Sequence, residues 1–515
     1  MNNPLPIDPA HLHPWGPGRA KIALEATRRP TGRLVLMSAI TPVGGGEGKT
    51  TMTIALAMGL RHRGRNAIPV LRQPSLGPVF GKKGGGSGGG RCTVEPSTDI
   101  NLHLTGDIHA VGAAHGLLAA MVDNAIYWRD PVVDLDPASV TWPRVTDMND
   151  RALRRVVVGQ AHAQRDTRFD ITAASEVMAV LCLAHDPADL LARLSRIRVG
   201  RRRDGTPVTA GDLGAAGGMA ALLNDALLPN LVRTAQGGPA IIHGGPFANI
   251  AQGCNSVIAT RMGLGLADVV VTEAGFGFDL GGEKFLDLKC PVAGVWPSAV
   301  VLVVTLSSLR IHGAGDMAAG LPQVDHHIAS VRRYGLPVVV CVNRFPADTD
   351  ADVATVVKHA GQLGVTAVAC DAVARGAEGA EPLAEAVEAL FGAPLTPWHP
   401  YSLTDSLETK LTAVATTLYG ADGVDLSDSA RAQLAELNPL NLPICVAKTQ
   451  SSLTDNPKLP GVPRGFRITV RELRLMAGAG FVVAVAGDME TMPGLPREPA
   501  AKRIGVGRDG RVYGV

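Results

Sequence analysis

Arg33-Leu-Val-Leu-Met-Ser-Ala-Ile-Thr-Pro-Val-Gly-Gly-Gly-Glu-Gly-Lys-Thr-Thr51 is the stretch from which the fold can be read. An apolar run, Arg33–Ile40, feeds a glycine-rich turn that closes on Gly48-Lys49-Thr50, and a helix-forming stretch, Thr51–Arg63, follows. In that order, backbone N–H groups of the turn wrap phosphates, Lys49 adds a compact positive charge, and Thr50 offers a hydroxyl to a magnesium ion. The strict phosphate-loop pattern has a glycine where this chain has Val43. A bare glycine turn is the bland alternative, but the strand before and the helix after favour a nucleoside triphosphate site.

Working outward, similar apolar runs recur between helical stretches. They are Ala67–Leu71, Ala240–His243, Ala267–Thr272, Ala299–Leu306, Leu336–Asn343, Thr366–Cys370 and Leu442–Lys448. Most are continuous Val/Ile/Leu rather than alternating, as expected of strands covered on both faces of a parallel sheet. Helices are expected at Ala113–Asn124, Ser175–Ala184 and Asp352–Leu363. The alternation implies an α/β fold: a phosphate-loop-containing, mostly parallel sheet flanked by helices, with smaller α/β units toward the C-terminus. Arg467–Ala477 and Gly480–Gly487 are expected to form a hairpin. Gly313–Gln323 reads as loose, Gly392–Pro400 as a boundary, and Gly84–Gly90, out of context, as a flexible linker.

Composition narrows the class. At 515 residues with 46% hydrophobic content, the chain can bury more than one core. A net charge of +2 points to neither nucleic acid nor an anionic membrane. No apolar run is long enough to span a bilayer, and Met1–Arg19 lacks the apolar core of a secretory signal. The seven cysteines form no C-x-x-C pair and read as reduced, buried thiols of a cytoplasmic protein. His103, His109 and His115 recur every six residues, which is not a zinc spacing.

In an open parallel sheet, ligands gather at the carboxyl ends of strands. Polar, glycine-rich segments at such ends include Arg72–Gly81, Thr105–His109, His243–Asn249 and Thr272–Asp279. Arg72 suits a small carboxylate or phosphate, or else a surface salt bridge. Asp107 suits magnesium, a hydroxyl or an amine, or else a turn or helix cap. His243 suits orienting or protonating a reacting group, or else is a satisfied loop histidine.

Together these residues resemble the formate–tetrahydrofolate ligase (10-formyltetrahydrofolate synthetase) family from about residue 30 to 500. The carriers are Thr41-Pro42 with Gly46–Thr51, Pro74–Pro78, Asp99–Ala110, Ala119–Asn124, Phe169–Ile171 with Ala174–Ala179, Val208–Leu213, His243–Ile250, Thr272–Gly277, Ala447–Gln450 and Thr491–Pro496. The resemblance implies that formate attacks the γ-phosphoryl group of ATP to give formyl phosphate and ADP. The amine of tetrahydrofolate then takes the formyl group. It implies catalytic roles for Lys49, Arg72, Asp107 and His243, with Lys49 and Arg72 holding formyl phosphate and Asp107 facing the folate amine. It implies ATP and phosphate contacts from Thr41, Gly46, Glu47, Gly48, Lys49, Thr50 and Thr51, with Mg2+ at Thr50. Phe345 and Val373 would flank the folate ring. A homotetramer activated by a monovalent cation (K+ or NH4+) is the family pattern. The expected division is 1–320 for the phosphate-loop and formyl phosphate domain, 321–400 for an α/β domain at the folate cleft, and 401–515 for a C-terminal α/β domain.

The departures fall mainly on the acceptor side. Val373 stands where the family often has tryptophan, and Gln73 where it has glutamate beside the magnesium site. Val43-Gly44-Gly45 replaces the usual alanine before Gly46, Ser451 replaces a tyrosine, and the stretch between His312 and His327 is shorter. Losing half of an aromatic clamp costs roughly 0.5–1.5 kcal/mol. The extra glycines cost ~0.5–1 kcal/mol each if the loop stays ordered. An active ligase with weakened folate binding is therefore expected. The alternative is a divergent relative that binds or hydrolyses ATP but serves another acceptor, or acts as a nucleotide- or formate-binding regulator.

Overall fold

The apolar runs line up side by side. A computed structural model describes residues 5–43, 46–81, 85–159, 164–487 and 489–515. Among these, the central sheet has twelve strands. Its parallel part runs in the order Pro239–Ile242, Ala67–Leu71, Val269–Glu273, Arg33–Ala39, Ala299–Val304, Val338–Asn343, Ala367–Cys370. Every residue of Ala67–Leu71, Ala299–Val304 and Val338–Asn343 is buried, which is why these runs show no alternation. The parallel arrangement brings all seven carboxyl ends to one edge; segments 72–81, 243–249 and 272–279 each follow one of them, whereas Thr105–His109, expected at such an end, follows a short helix, Ser97–Asn101, and opens the next helix instead.

The Lys49–His62 helix packs along the Ala377–Glu388 helix. Gly59 permits this approach, since a Cβ there would lie 3.0 Å from both the Cβ and the carbonyl oxygen of Ala380. One sheet edge is antiparallel: Asn230–Thr234 pairs with Pro239–Ile242 on one side and with Ala20–Ile22 on the other. Leu12–Pro14 extends it by pairing with Ala20–Ile22. Gly88-Gly89 pairs with Cys92-Thr93, so the part of the glycine run described here is a tight hairpin rather than a linker. Gly88 has φ +95°, and a Cβ on it would sit 2.2 Å from the Cys92 carbonyl oxygen.

A second sheet, in the order Gly423–Leu426, Arg467–Met476, Phe481–Ala486, Ile444–Ala447, contains the expected hairpin. Its turn is seated on Glu176, whose Oε1 accepts from the N–H of Gly478 at 2.7 Å. Gly313–Gln323 is more ordered than expected. Asp316 caps a short helix, Met317–Gly320, and Pro322 opens a longer one, Pro322–Arg333. Gly44 and Gly45, expected to soften the phosphate loop, lie outside the described residues.

Candidate active site

Gly48 ends the phosphate loop in the left-handed region at φ +76° and caps the Lys49–His62 helix. A side chain there is barred twice: the backbone is left-handed, and a Cβ would fall 2.5 Å from Asn343 Nδ2. Asn343, at the end of its own strand, donates from Nδ2 to the Glu47 carbonyl oxygen at 3.0 Å. The helix N-terminus thus offers its first N–H groups and the positive end of its dipole to an anion. Lys49 is the first residue of that helix. Thr51 lies against the hairpin glycine Gly89, whose Cβ would meet its Oγ1 at 3.6 Å. Gly46, also left-handed at φ +94°, is exposed.

Two residues expected to touch phosphate have their side chains engaged in the protein. The Glu47 carboxylate is buried and accepts from Thr305 Oγ1 at 2.8 Å and from Ser308 Oγ, which ties the loop to the next strand's end. Burial pushes its carboxyl up from the ordinary range, against the pull of those hydroxyls. Thr41 is buried as well. Its N–H donates to His327 Nε2 at 2.9 Å, and its carbonyl oxygen accepts from His312 Nε2 at 2.7 Å. Its hydroxyl lies 3.4 Å from Asp279. Asp279 in turn pairs at 2.8 Å with Lys448, which sits 4.8 Å from the centre of the Tyr419 ring. Both partners of that pair are buried. Segments 41, 279, 327 and 448, far apart in the chain, are therefore one latch beneath the loop.

Thr50 and Arg72 converge on Glu273, which lies inside the expected 272–279 segment without a role of its own in the sequence pattern. This carboxylate ends its strand, is 3% exposed, and accepts from Thr50 Oγ1 at 2.9 Å. Arg72 Nε stands 3.8 Å from Glu273 Oε1, beyond hydrogen-bond range, and is buried with no hydrogen-bond partner. Gly275 leaves room for the guanidinium, since a Cβ there would lie 3.0 Å from Arg72 Nη1. Gln73 is turned into the protein, its N–H donating to the Gly244 carbonyl at 2.7 Å. Its side-chain Oε1 is buried and unpartnered. An unsatisfied guanidinium N–H beside a helix N-terminus is an anion site with one donor in reserve. Among the described residues, no group of three His, Cys, Asp or Glu forms a metal cage. Magnesium is normally held by one or two carboxylates together with substrate phosphates, and the oxygens of Thr50 and Glu273 fit that donor set.

Asp107 opens the Asp107–Trp128 helix and is 2% exposed. Lys21 Nζ donates to its Oδ1 at 2.5 Å and Asn230 Nδ2 to its Oδ2 at 2.7 Å, with Thr105 Oγ1 at 3.1 Å. Lys21 is fully buried, and desolvation lowers its pKa against the pull of Asp107. Neither Lys21 nor Asn230 belonged to a motif that would have drawn attention to it.

His243 is fully buried. Its Nε2–H donates to the Ala226 carbonyl at 2.7 Å, and its Nδ1 accepts from Ser256 Oγ at 2.6 Å. Burial lowers its pKa to about 4, so the ring is neutral near pH 7 and has no nitrogen left for a reacting group. Phe345 and Val373 follow adjacent strands whose last residues, Asn343 and Cys370, are paired. They are 47% and 38% exposed, and both emerge at the sheet edge that carries the phosphate loop.

A phosphate loop, a partly unsatisfied arginine and a buried carboxylate on one edge of a parallel sheet define an α/β enzyme that uses a nucleoside triphosphate to activate an acid. The comparisons narrow this class. The family model described as formate–tetrahydrofolate ligase matches residues 1–515. The formate–tetrahydrofolate ligase of Myxococcus xanthus (strain DK1622) is 53% identical, covering 99% of this chain and 97% of its own length. Those of Paracoccus denitrificans (strain Pd 1222) and Methylobacterium sp. (strain 4-46) are 51% and 50% identical, each covering 99% of this chain and 96% of its own length. The chain belongs to the formate–tetrahydrofolate ligase family, and it is a ligase.

Proposed function

We propose that this chain joins formate to tetrahydrofolate at the expense of ATP, giving 10-formyltetrahydrofolate, ADP and phosphate. Family membership supports the overall reaction, and one arrangement carries the residue roles: Thr50, Glu273 and Arg72 meeting at the phosphate-loop helix with Arg72 Nε unpartnered. A formate oxygen attacks the γ-phosphorus, ADP leaves, and formyl phosphate forms. Lys49 and Arg72 hold its phosphate oxygens and offset the charge that develops on them. The acceptor amine then attacks the formyl carbon, phosphate leaves, and the amine gives up its proton. Asp107, fixed in place by Lys21 and Asn230, orients that amine. His243 works indirectly, by fixing the 243–256 loop through Ser256 and Ala226. Glu47 and Thr41 likewise shape the loop from behind. Magnesium, when bound, neutralises phosphate charge; Thr50 and Glu273 are its protein donors.

Phe345 and Val373 flank the acceptor ring in this reading. A monovalent cation (K+ or NH4+), a homotetramer, a cytoplasmic location and domain limits at 320 and 400 belong to the same proposal, by family likeness. Among the described residues, no helix is long and apolar enough to cross a membrane. The test is to incubate the protein with ATP, magnesium, formate and tetrahydrofolate, acidify, and read methenyltetrahydrofolate absorbance. Each component is omitted in turn. Absorbance that requires all of them is expected; none at millimolar folate would overturn the proposal.

A further inference from the structure

One short helix, Leu306–His312, holds both ends of the phosphate loop. At its start, the capping Thr305 and Ser308 bind the Glu47 carboxylate, Thr305 through Oγ1 at 2.8 Å. At its end, the last residue, His312, donates from Nε2 to the Thr41 carbonyl oxygen at 2.7 Å. A second imidazole meets Thr41 from the Pro322–Arg333 helix. His327 Nε2 accepts the Thr41 N–H at 2.9 Å and lies 3.1 Å from the Thr41 hydroxyl. Both main-chain polar groups of Thr41 are therefore taken by histidines. Thr41 precedes Pro42, which confines its backbone to extended conformations. Fixing those two groups fixes the direction in which the chain enters the loop.

The histidines are themselves anchored in the C-terminal part of the chain. His312 Nδ1 accepts from the Gly461 N–H at 2.9 Å, and Gln323 Nε2 donates to the Gly461 carbonyl oxygen. Gly461 has φ +76°, and a Cβ on it would lie 3.2 Å from the His312 carbonyl oxygen. The loop that carries it is tied down in turn. Lys448 Nζ donates to the Ser452 carbonyl oxygen at 2.6 Å, and Ser452 Oγ to the Leu459 carbonyl oxygen at 2.6 Å. Two main-chain positions, Thr41 and Gly461, are thus clipped together by His312, Gln323 and His327, all buried. The stretch shortened in this chain runs from one of these histidines to the other, and the clip is intact across it.

These bonds fix the state of both rings. His312 donates from Nε2 and accepts on Nδ1; His327 accepts on Nε2 and so carries its proton on Nδ1. Both are neutral, and burial agrees, lowering the pKa of His312 and taking that of His327 down to about 3. Among the described residues, His327 Nδ1 has no hydrogen-bond partner, and neither has Gln323 Oε1, one turn earlier on the same helix. Buried polar atoms without partners are uncommon and costly. Each of these two is the idle end of a side chain whose other end grips Thr41 or Gly461. Packing alone would favour apolar residues at both positions, so it is the grip on the main chain that accounts for them.

We propose that His312, His327 and Gln323 are positioning residues for the phosphoryl-transfer step, and that the 448–461 loop sets the entry of the phosphate loop through them. They act through the Thr41 main chain, not on the reacting atoms. The inference rests on the phosphate loop binding the nucleotide, and it is independent of the acceptor.

The test uses asparagine and glutamine to separate the two nitrogens of His312. H312N keeps an acceptor near the Nδ1 position for Gly461 and gives up Thr41. H312Q keeps a donor near the Nε2 position for Thr41 and gives up Gly461. Each loses one buried hydrogen bond, so their thermal midpoints should fall alike. Affinity for magnesium–ADP, read by titration calorimetry, should not: a loss of about tenfold is expected in H312N and about threefold in H312Q. H327L should also lose about tenfold, and H327Q, which keeps an acceptor for the Thr41 N–H, should recover most of it. G461A, altered on the far side of the clip, should match H312Q. The KM for ATP should rise in the same order while the KM for tetrahydrofolate stays level. Equal losses of ADP affinity in H312N and H312Q would signal a general packing effect and overturn the proposal, as would full affinity in both. Full affinity in G461A would overturn the part given to the 448–461 loop. A native protein that binds no nucleotide overturns the phosphate-loop reading and this proposal with it. One that binds ADP but forms no formyltetrahydrofolate overturns the acceptor reading alone, and the ADP titrations still decide the clip.

Discussion

The two ends of the site are built differently. At the phosphate end, each loop residue that leans inward has a buried partner: Glu47 on Thr305 and Ser308, Thr41 on His327 and His312, Thr50 on Glu273. At the ring end, Phe345 and Val373 stand on strand ends with 47% and 38% of their surfaces in solvent. Phosphoryl transfer is helped by dipoles and charges that need no reorganisation, so its scaffold is rigid and enclosed. A flat ring is held by apolar area, which one residue can lose without disturbing its neighbours. The Val373 departure sits in the tolerant half. Gln73 departs within the enclosed half and leaves its Oε1 unpartnered there.

If this contrast is right, substitutions should hurt in proportion to enclosure. Lys21→Met strands Asp107 without its buried cation, and breaking such a pair costs about 3–5 kcal/mol. Denaturant titration should register that loss; a change below about 1 kcal/mol would show that Asp107 is not held as described. Lys49→Ala should cut ATP-dependent turnover at least about a hundredfold while the thermal midpoint stays within a few degrees. Near-normal activity would refute its assignment.

His243 gives a pH test. Its folded pKa is depressed to about 4, so below an unfolded pKa near 6.5 only the unfolded chain takes up the proton. Its contribution is intact above pH 6.5 and declines as pH falls toward 4, by about 1.4 kcal/mol per pH unit. The stability slope of the native protein between pH 6 and 4.5 should exceed that of His243→Gln by one proton. Equal slopes would mean the ring is charged in the fold. The smallest effect is expected at the open end. Val373→Trp should tighten folate binding a few-fold, for ~0.5–1.5 kcal/mol. An unchanged folate KM would remove residue 373 from the acceptor site.

The parallel core was legible because strands buried on both faces leave continuous Val-rich runs, as in Ala299–Val304. The antiparallel edge was not: Asn230–Thr234 and Ala20–Ile22 are short, and their pattern resembles loop flanks. The Asp107–Trp128 helix begins six residues before the expected Ala113, because Gly106 caps it in the left-handed region and Thr105-Gly-Asp reads as a turn. Lys49, Thr50 and Arg72 could be found because each follows a strand inside a recognisable local pattern. Lys21 could not, and neither could the pairings of Glu273 and of Asp279 with Lys448, since the partners lie 86, 223 and 169 residues apart in the chain. His243 shows the reverse limit. Residue type and position suggested proton transfer, and only the three-dimensional arrangement revealed that both nitrogens are occupied.

The antiparallel edge also sets an order of assembly. Lys21 reaches Asp107 from a strand that docks on Asn230–Thr234, so residues 21, 107 and 230 must meet before the carboxylate has its partners. Contacts of such separation form slowly, because long loops close before any pairing rewards them. The phosphate end is held by pairs of still longer separation, Thr50 with Glu273 at 223 residues and Glu47 with Thr305 at 258, so both halves of the site should mature late in folding. A refolding chain should acquire nucleotide affinity only once the 33–62 unit has met residues 273, 305 and 343, and so no earlier than the ability to pass the formyl group on.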